Sequence, residues 1–414
     1  MNQQSQPTSA SDGLARQWQD LMMFNYGTPP IFLSHGNGAT VWDVEGNSYL
    51  DLLAGIATSS LGHAHPAIAA AAAEQAQQLV HTSNLYGNRP SLNLAHRLLD
   101  LTGQDGRIFF CQDGATANEA AYKLARKHGR KLDPAGSRLE IVAAAGSFHG
   151  RTMGALSITG SPAKRDPFEP LPGPVNFVPY GDEGALSAAV TERTAAVFLE
   201  PVLGEGGVVV PPEGYLAAAR RICDRSGALL VVDEVQSGMG RTGTWFASLN
   251  EGVVPDVLTL AKGLAGGFPL GACIGFGAAG ELFAPGEHGS TFGGNPVSCA
   301  VALAVIDTIE AEQLLDNVTA VGRHWQGRFD EVEHDLLLGT RGVGLWRALL
   351  LAGPVARSFE TAARHGGFLV NAVAPDVIRL APPLNLTITQ ADEFADALSG
   401  LLDRTREAEV SNAH

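Results

Sequence analysis

The sequence contains few lysines, few cysteines and no long hydrophobic run. Five lysines stand against 23 arginines, and the four cysteines are widely spaced without a Cys-x-x-Cys pair. This spacing argues against a disulfide scaffold or a zinc site and indicates reduced thiols in a cytoplasmic protein. No apolar run is long enough to cross a membrane. Residues 1–13 have neither a basic start nor an apolar centre, so we do not expect a secretory signal there.

The charge balance narrows the range of partners. The formal net charge is −15 over 414 residues, which argues against nucleic acid or an anionic membrane as a partner. A chain of this length can form two domains around large cores. We predict a disordered tail over 1–20, a smaller domain built from 21–64 and 301–414, and a large domain over 65–300.

Short apolar runs alternate with helical patterns between residues 65 and 300. The runs predict strands at 107–110, 139–145, 195–200, 228–235 and 271–276, each almost continuously apolar as in a buried parallel sheet. Helices are predicted at 116–129 and 212–227. This alternation predicts a doubly wound α/β domain with a mostly parallel sheet, whose ligands bind at the carboxyl ends of the strands. Outside this region, residues 39–53 predict a hairpin and the C-terminal part a mixture of helices and strands.

Lys262 and Asp233 are the first two candidates for catalysis. Lys262 lies in the uncharged stretch LTLAKGLAGG, where burial would lower its pKa and free a neutral amine for Schiff-base chemistry. An ordinary surface lysine is the alternative. Asp233 ends the apolar run ALLVVD, so its carboxylate is placed at the ligand-binding edge of the sheet. The alternative for an isolated aspartate is a helix cap.

Two loops add further candidates. The turn QDGATANE at 112–119 joins a strand to a helix, and a helix N-terminus favours a phosphate group. The loop GSFHGRT at 146–152 offers Phe148 to stack on a flat ring and Arg151 to hold a carboxylate. Each loop alone could be an ordinary connection. Together with Lys262 and Asp233 they match the needs of pyridoxal 5′-phosphate: an amine, an acid for the ring nitrogen, a phosphate turn and a stacking aromatic.

The sequence resembles the class III aminotransferases among the fold-type I pyridoxal phosphate enzymes. The resemblance covers the chain after about residue 20. It rests on the segments LLAGIATSSLGHAHP (52–66), FHGRTMGALSITG (148–160), FLEPVLGEGGV (198–208), VVDEVQSGMGRTG (231–243), LAKGLAGGFPLGA (260–272), HGSTFGGNP (288–296) and NAVAPDVIRLAPPL (371–384). Within that family it is most similar to the members that act on acetylornithine.

The resemblance implies roles for individual residues. Lys262 and Asp233 are expected to be catalytic. The residues implied in cofactor binding are Gly114, Ala115, Phe148, Asp233, Glu234, Val235, Gln236, Lys262 and Thr291, the last reaching in from the partner of a homodimer. The residues implied in substrate binding are Arg151, Ser290, Glu205 and Arg379. Glu205 resembles a gate residue that shields Arg379 until a second carboxylate arrives. No metal site is expected, since His63 and His65 alone are weak evidence for one and helix capping or packing explains them better.

The implied reaction transfers the δ-amino group of N-acetylornithine to 2-oxoglutarate, a step of arginine biosynthesis. The first alternative is another ω-aminotransferase, acting on succinyldiaminopimelate, succinylornithine, ornithine or 4-aminobutyrate. The second is a decarboxylase or aminomutase on the same fold. The third is a protein with impaired catalysis, because Gln112, Asp113 and Thr116 depart from the family's usual phosphate turn.

Overall fold

The computed structural model describes residues 9–412 and begins with a helix where the sequence predicted a tail. Residues 1–8 of the predicted tail lie outside the described residues. Residues 10–20 form most of the first helix, so the predicted tail is wrong there. Ser9 caps this helix by accepting from the Asp12 N–H, and Trp18 Nε1 donates to the Gly27 carbonyl at 2.9 Å. These local bonds order a segment whose composition alone indicated disorder.

The helices follow one another along the whole described chain. They are α1 (Ala10–Leu21), α2 (Ala54–Ala57), α3 (Pro66–Gln78), α4 (Arg89–Thr102), α5 (Gly114–Leu132), α6 (Met153–Ser157), α7 (Pro162–Arg165), α8 (Glu183–Ala189), α9 (Tyr215–Ser226), α10 (Ala247–Asn250), α11 (Pro296–Ala311), α12 (Leu314–Asp330), α13 (Ala356–His365) and α14 (Ile388–Asn412). Both predicted helices are confirmed, as α5 and α9. Short 3₁₀ turns cover Asp166–Phe168, Lys262–Ala265 and Gly277–Glu281. None of the helices between residues 9 and 412 is long and apolar enough to span a bilayer.

The strands found between residues 9 and 412 form three sheets. They are β1 (Leu33–Asn37), β2 (Thr40–Asp43), β3 (Ser48–Asp51), β4 (Gly106–Cys111), β5 (Glu140–Ala144), β6 (Val175–Val178), β7 (Thr194–Leu199), β8 (Leu229–Asp233), β9 (Val257–Leu260), β10 (Gly271–Phe276), β11 (Leu337–Val343), β12 (Trp346–Leu351), β13 (Phe368–Leu369), β14 (Asn371–Ala374) and β15 (Val377–Leu380).

The large sheet has seven strands in the order β4-β10-β9-β8-β7-β5-β6. Strands β6, β5, β7, β8 and β9 run parallel, whereas β10 is antiparallel to both β9 and β4. All five predicted strands are confirmed, and the mixed, mostly parallel α/β architecture is the expected one. Strands β6 and β9 are not predicted by the sequence pattern. Each has only four residues, and a short run of that length is hard to separate from a loop by periodicity.

The two smaller sheets come from the ends of the chain. One has the order β1-β2-β3-β13 and the other β11-β12-β15-β14. The predicted hairpin is confirmed as β2 and β3, and β13 pairs in parallel with β3 through Phe368 and Leu50. This pairing joins the C-terminal part to the N-terminal part in one α+β unit. The domain boundaries at 64 and 300 remain a prediction.

Burial makes the cysteines of this protein poor nucleophiles. All four cysteines are free and buried. Burial raises the thiol pKa to about 11 for Cys111 and to about 12 for Cys223 and Cys299. Thiols with such pKa values are protonated near neutral pH and therefore poor nucleophiles.

Candidate active site

A cavity of about 400 Å³ lies at the carboxyl-terminal edge of the large sheet. Its wall is formed by residues that follow β4, β5, β7, β8 and β9. Because β4 runs antiparallel to β10, and β10 antiparallel to β9, the carboxyl ends of these five strands meet at one edge. The structure therefore places the candidate site where an open α/β sheet binds its ligands.

Lys262 lies in this cavity at the start of a 3₁₀ turn. It follows β9 directly after Ala261, and its φ of 43° is in the left-handed region, which is uncommon for a residue with a side chain. Burial and the Arg379 charge lower the pKa of its amine to about 8, against the opposing effect of three nearby carboxylates. A substantial fraction of the amine is therefore neutral in mildly alkaline solution, as the sequence analysis expected.

Asp233 is held rigidly at the end of β8. Its Oδ1 accepts from the Val235 N–H at 2.9 Å, and its Oδ2 accepts from Asn118 Nδ2 at 2.7 Å. Asn118 is itself oriented by Thr259, whose hydroxyl donates to Asn118 Oδ1 at 2.9 Å. Asp233 is 4% exposed and lines the cavity. The carboxylate thus has one fixed position facing the candidate ligand.

His149 and Glu200 extend this network into the core. His149 Nδ1 lies 2.8 Å from Asp233 Oδ2, and both side chains are buried. Burial lowers the pKa of His149, but Asp233 and Glu200 outweigh this and raise it above its usual value. Burial raises the pKa of Glu200 to about 7, although the His149 charge and two backbone N–H groups, those of Phe148 and Gly204, oppose the rise. No sequence motif indicated a role for either residue or for Asn118.

The N-terminus of α5 forms another side of the cavity, through Gly114 and Ala115. A Cβ atom at Gly114 would lie 2.6 Å from Val235 Cγ1, so only glycine fits there without a shift. Asp113 caps the helix: its Oδ1 accepts from the Thr116 N–H at 2.8 Å, and Thr116 Oγ1 accepts from the Asp113 N–H at 3.3 Å. The unusual residues of this turn therefore form a capping box.

Phe148 and Arg151 both line the cavity. The Phe148 N–H donates to Glu200 Oε1 at 2.9 Å, which ties this loop to the end of β7. The guanidinium carbon of Arg151 lies 5.7 Å from the centre of the Phe148 ring, and Lys164 Nζ lies 4.7 Å from the same centre. Arg151 is exposed and free to meet a carboxylate at the mouth of the cavity.

Glu205 and Arg379 form an ion pair beside the cavity. Arg379 Nη1 donates to Glu205 Oε1 at 2.7 Å and to Gln236 Oε1 at 3.2 Å, and Nη2 donates to Asn371 Oδ1 at 2.7 Å. Gln236 is part of the cavity wall and so connects the pair to it. Burial would raise the pKa of Glu205, but the charges of Arg379 and Lys164 outweigh it and lower the pKa to about 2.

Besides Glu205 and Arg379, three of the predicted site residues are not part of the cavity wall. The Glu234 side chain accepts from Ser237 and from the N–H groups of Ala247 and Ser248, at the start of α10. Successive residues of a strand point to opposite faces, so the structure moves the Glu234 carboxylate out of the candidate cofactor site. Ser290 and Thr291 also lie outside the wall, and Thr291 is exposed. The paired histidines have other partners: His63 lies 2.7 Å from Asp51, and His65 caps α3, as expected.

The cavity has the donors and acceptors that pyridoxal 5′-phosphate requires. Asp233 supplies a fixed carboxylate for a protonated ring nitrogen, and Lys262 supplies an amine of lowered pKa. The glycine cradle at the start of α5 supplies backbone N–H groups for a phosphate. Val235 and Phe148 supply apolar surface in the cavity wall against which a flat ring can pack. The residues present therefore fit this cofactor.

Comparisons with known proteins agree with this chemistry. A family model described as aminotransferase class-III matches residues 22–402. An acetylornithine aminotransferase of Mycolicibacterium smegmatis is 54% identical over 394 residues, covering 95% of this chain and 99% of the relative.

Solved structures with the same fold include two aminotransferases. An ornithine aminotransferase from Toxoplasma gondii has a TM-score of 0.90 and 31% identity, covering 99% of this chain and 97% of the other, and its description reports partial occupancy of PLP at the active site. An acetylornithine aminotransferase from Elizabethkingia anophelis has a TM-score of 0.83 and 32% identity, covering 96% of this chain and 99% of the other.

Proposed function

The chain belongs to the class III aminotransferases, and we propose that it transfers the δ-amino group of N-acetylornithine to 2-oxoglutarate. The products are N-acetylglutamate 5-semialdehyde and glutamate. The observation that carries the proposal is the presence of Lys262 and Asp233 in one cavity, beside the Glu205–Arg379 pair. The relatives at more than half identity act, by their names, on acetylornithine.

The cofactor of this family is pyridoxal 5′-phosphate. When bound, it supplies an aldehyde that combines with amines and a protonated ring that withdraws electrons from the substrate carbon next to the reacting amine. Asp233 would pair with the ring nitrogen. The other residues that would hold the cofactor are Gly114, Ala115, Phe148, Val235, Gln236 and Lys262. The network of Asn118 and His149 keeps the Asp233 carboxylate in place.

Lys262 moves the proton in this proposal. Its Nζ, neutral in part of the molecules near pH 8, takes a proton from the δ-carbon of N-acetylornithine and, with the cofactor bound, would pass it to the cofactor carbon that carried the aldehyde. A positioned base of matched pKa contributes about 10²- to 10⁴-fold to a rate. Arg151 orients the substrate through its α-carboxylate.

Glu205 and Arg379 adapt one cavity to two substrates. In the first half of the reaction the donor has no second carboxylate, and Glu205 neutralises Arg379. In the second half the far carboxylate of 2-oxoglutarate takes the place of Glu205 on Arg379. A decarboxylase or aminomutase has no such exchange, so the pair favours transamination over this alternative.

We extend the proposal to a cytoplasmic homodimer that shares its active sites. Several large apolar side chains are exposed, which is typical of an interface; they include Leu21, Met23, Phe24, Tyr26, Leu85, Tyr86 and Phe292. Part of this surface is continuous, because Asn84 donates to the Ser290 carbonyl at 2.9 Å and Phe292 contacts His81. Thr291 lies on it, in accord with a role in the partner's site.

The dimer can be tested with one pair of variants. Phe292→Asp places a charge on the proposed interface, and Phe168→Asp places one on another exposed phenylalanine. Light scattering should report a monomer for the first variant alone. A monomeric unsubstituted protein with full activity would contradict the shared site.

The function itself is tested by turnover of the purified protein with a panel of amine donors and 2-oxoglutarate. We expect N-acetylornithine to give the highest kcat/KM, with glutamate as product. A higher value for succinylornithine, succinyldiaminopimelate, ornithine or 4-aminobutyrate would replace the proposed donor. Borohydride reduction should fix the cofactor on Lys262, whereas a protein that never binds it would support impaired catalysis.

A further inference from the structure

Glu205 contacts two cations with its two carboxylate oxygens. Its Oε1 accepts from Arg379 Nη1 at 2.7 Å, and its Oε2 accepts from Lys164 Nζ at 3.2 Å. Both lysine and glutamate side chains are about one quarter exposed, so this second contact is only partly shielded from water. The proposed function gives Arg379 and Glu205 their tasks but leaves Lys164 without one.

The position of Lys164 is fixed by its neighbours. It belongs to the single-turn helix α7, which follows the loop of Phe148. The next residue, Arg165, stacks on the Phe177 ring at 4.0 Å and donates to the Thr159 carbonyl, which anchors the turn to the large sheet. Lys164 Nζ also lies 4.7 Å from the centre of the Phe148 ring. Its ammonium group therefore remains beside Glu205 whatever occupies Arg379.

We propose that Lys164 is the positioning residue that receives the Glu205 carboxylate when a dicarboxylate substrate displaces it from Arg379. This inference rests on the proposed function. A partly buried carboxylate that loses its only cation would be left uncompensated, which opposes the exchange. Because Lys164 is nearby, the Glu205 carboxylate can exchange its contacts with both Arg379 and Lys164 for an ion pair with Lys164 alone. Lys164 thus lowers the free energy of the state that binds the acceptor.

A difference between the two states is essential to this role. A residue shifts an equilibrium only when it interacts more strongly with one state than with the other. In the structure Lys164 shares Glu205 with Arg379 over a single 3.2 Å contact. In the exchanged state it is the cation that Glu205 contacts, so its loss weakens acceptor binding and leaves donor binding almost unchanged.

The test uses the holoenzyme and two inert five-carbon acids. Glutarate carries the second carboxylate that displaces Glu205, whereas pentanoate lacks it. Calorimetry on Lys164→Gln should show glutarate binding weakened by about threefold to tenfold, in the range of a partly exposed ion pair, and pentanoate binding within twofold. Lys164→Arg should restore glutarate binding. Lys131→Gln removes an exposed lysine at the far end of α5 and should leave both acids unaffected.

A double-mutant cycle separates this role from direct attraction of the substrate. In a Glu205→Gln background, Lys164→Gln should change glutarate binding by less than twofold. A persistent loss would mean that Lys164 attracts the dicarboxylate itself, and equal losses for both acids would mean a structural role; either overturns the proposal, as does an unchanged glutarate affinity in Lys164→Gln.

Single-turnover measurements provide a second readout. Lys164→Gln should raise the concentration of 2-oxoglutarate that gives half of the maximal single-turnover rate. The single-turnover rate with N-acetylornithine should stay within twofold of that of the unsubstituted enzyme. Loss in the donor half alone would contradict the inference. If the unsubstituted enzyme fails to act on N-acetylornithine but prefers glutarate to pentanoate, the proposed donor is wrong and the role of Lys164 is still tested by the binding cycle.

Discussion

Asp233 and Glu205 are both acids near Lys262, and they differ in how they are held. The Asp233 side chain is 4% exposed and has three partners, one on α5 and the others in the loops that follow β5 and β8. The Glu205 side chain is 24% exposed, and its two cations come from different regions, α7 and β15. In our proposal the charge that stays in place is held at one edge of the large sheet, whereas the charge that moves is shared between α7 and β15.

This difference has an energetic basis. Removing a partner from a fully buried carboxylate leaves a charge without compensation, so the Asp233 network favours one arrangement strongly. An ion pair that is partly exposed contributes little, commonly below about 1 kcal/mol. Exchange of partners at Glu205 therefore changes the free energy only slightly, and substrate binding can drive it.

The largest expected effect is the difference in kcat between variants in which one or the other acid is replaced by its amide. Asp233→Asn keeps the shape and removes the fixed charge, and kcat should fall by about 10²- to 10³-fold, as when a preorganised electrostatic group is lost. Glu205→Gln should lower kcat by less than tenfold. Single-turnover rates of both half-reactions give the two values, and thermal unfolding checks that each variant is folded. Similar losses for both would show that the two acids are not functionally different.

The pH dependence of cofactor uptake by the apo-protein reports the pKa of the Lys262 amine, on which both acids act. The pKa of its amine is lowered to about 8, so the neutral form increases as pH rises and is nearly complete above about pH 9. The rate at which the apo-protein takes up the cofactor should rise about 50-fold between pH 6 and 8, by the titration of one such group. The charged groups near the amine are Arg379, Glu205, Asp233 and Glu200.

Removal of either acid should shift this profile. Both carboxylates raise the pKa of Lys262, so Asp233→Asn and Glu205→Gln should each move the midpoint to lower pH. Stopped-flow absorbance at a fixed cofactor concentration is the measurement. A midpoint that stays in place in both variants would contradict the electrostatic link between the acids and the amine.

A smaller effect tests the mobility of Glu205. Glu205→Gln leaves Arg379 without its carboxylate partner, so glutarate no longer has to displace one and should bind about threefold to tenfold more tightly. Pentanoate should bind within twofold of the unsubstituted enzyme. Glu192→Gln, at an exposed position, is the control for the change in net charge. Weaker glutarate binding in Glu205→Gln would mean that Glu205 assists the acceptor rather than competing with it.

The smallest effect concerns a third acid, Asp113, whose charge lies next to the proposed phosphate site. Asp113→Ser keeps a capping oxygen for α5 and removes a charge that repels phosphate, so the dissociation constant of the cofactor should fall about twofold to fivefold. Asp182→Ser is the matched control, because Asp182 caps α8 in the same way. Both variants should have similar thermal stability. Unchanged cofactor affinity in Asp113→Ser would show that capping already screens the charge.

The comparison also shows what the sequence could and could not predict. Lys262 and Asp233 could be selected because a charge in an apolar run is a local signal. The partners of Asp233 carry no such signal: Asn118 lies inside a helix, and Glu200 looks like any acid after a strand. Their roles depend on which strands are neighbours, and β8 lies between β7 and the missed β9. Glu205 and Arg379 were connected only through the family resemblance, since 174 positions separate them.

Lys164 illustrates the limit most clearly. Nothing in its surrounding sequence distinguishes it from a surface lysine, and the contact with Glu205 spans 41 positions. The tail over residues 10–20 failed for the opposite reason. Its composition indicated disorder, but one cap and one tryptophan bond order it. Composition describes the average of a segment, whereas a few specific contacts decide its state.

The four buried cysteines can report local opening of the structure through their reactivity. A thiolate-seeking reagent can modify them only in molecules that have opened, so the labelling rate measures how often each region opens. Cys111 ends β4 beside the cofactor turn, whereas Cys223 lies on α9 among the residues packed behind the sheet. Occupancy of the cavity would therefore slow the labelling of Cys111 more than that of Cys223, and the ratio of the two rates would locate the region that the ligand makes rigid.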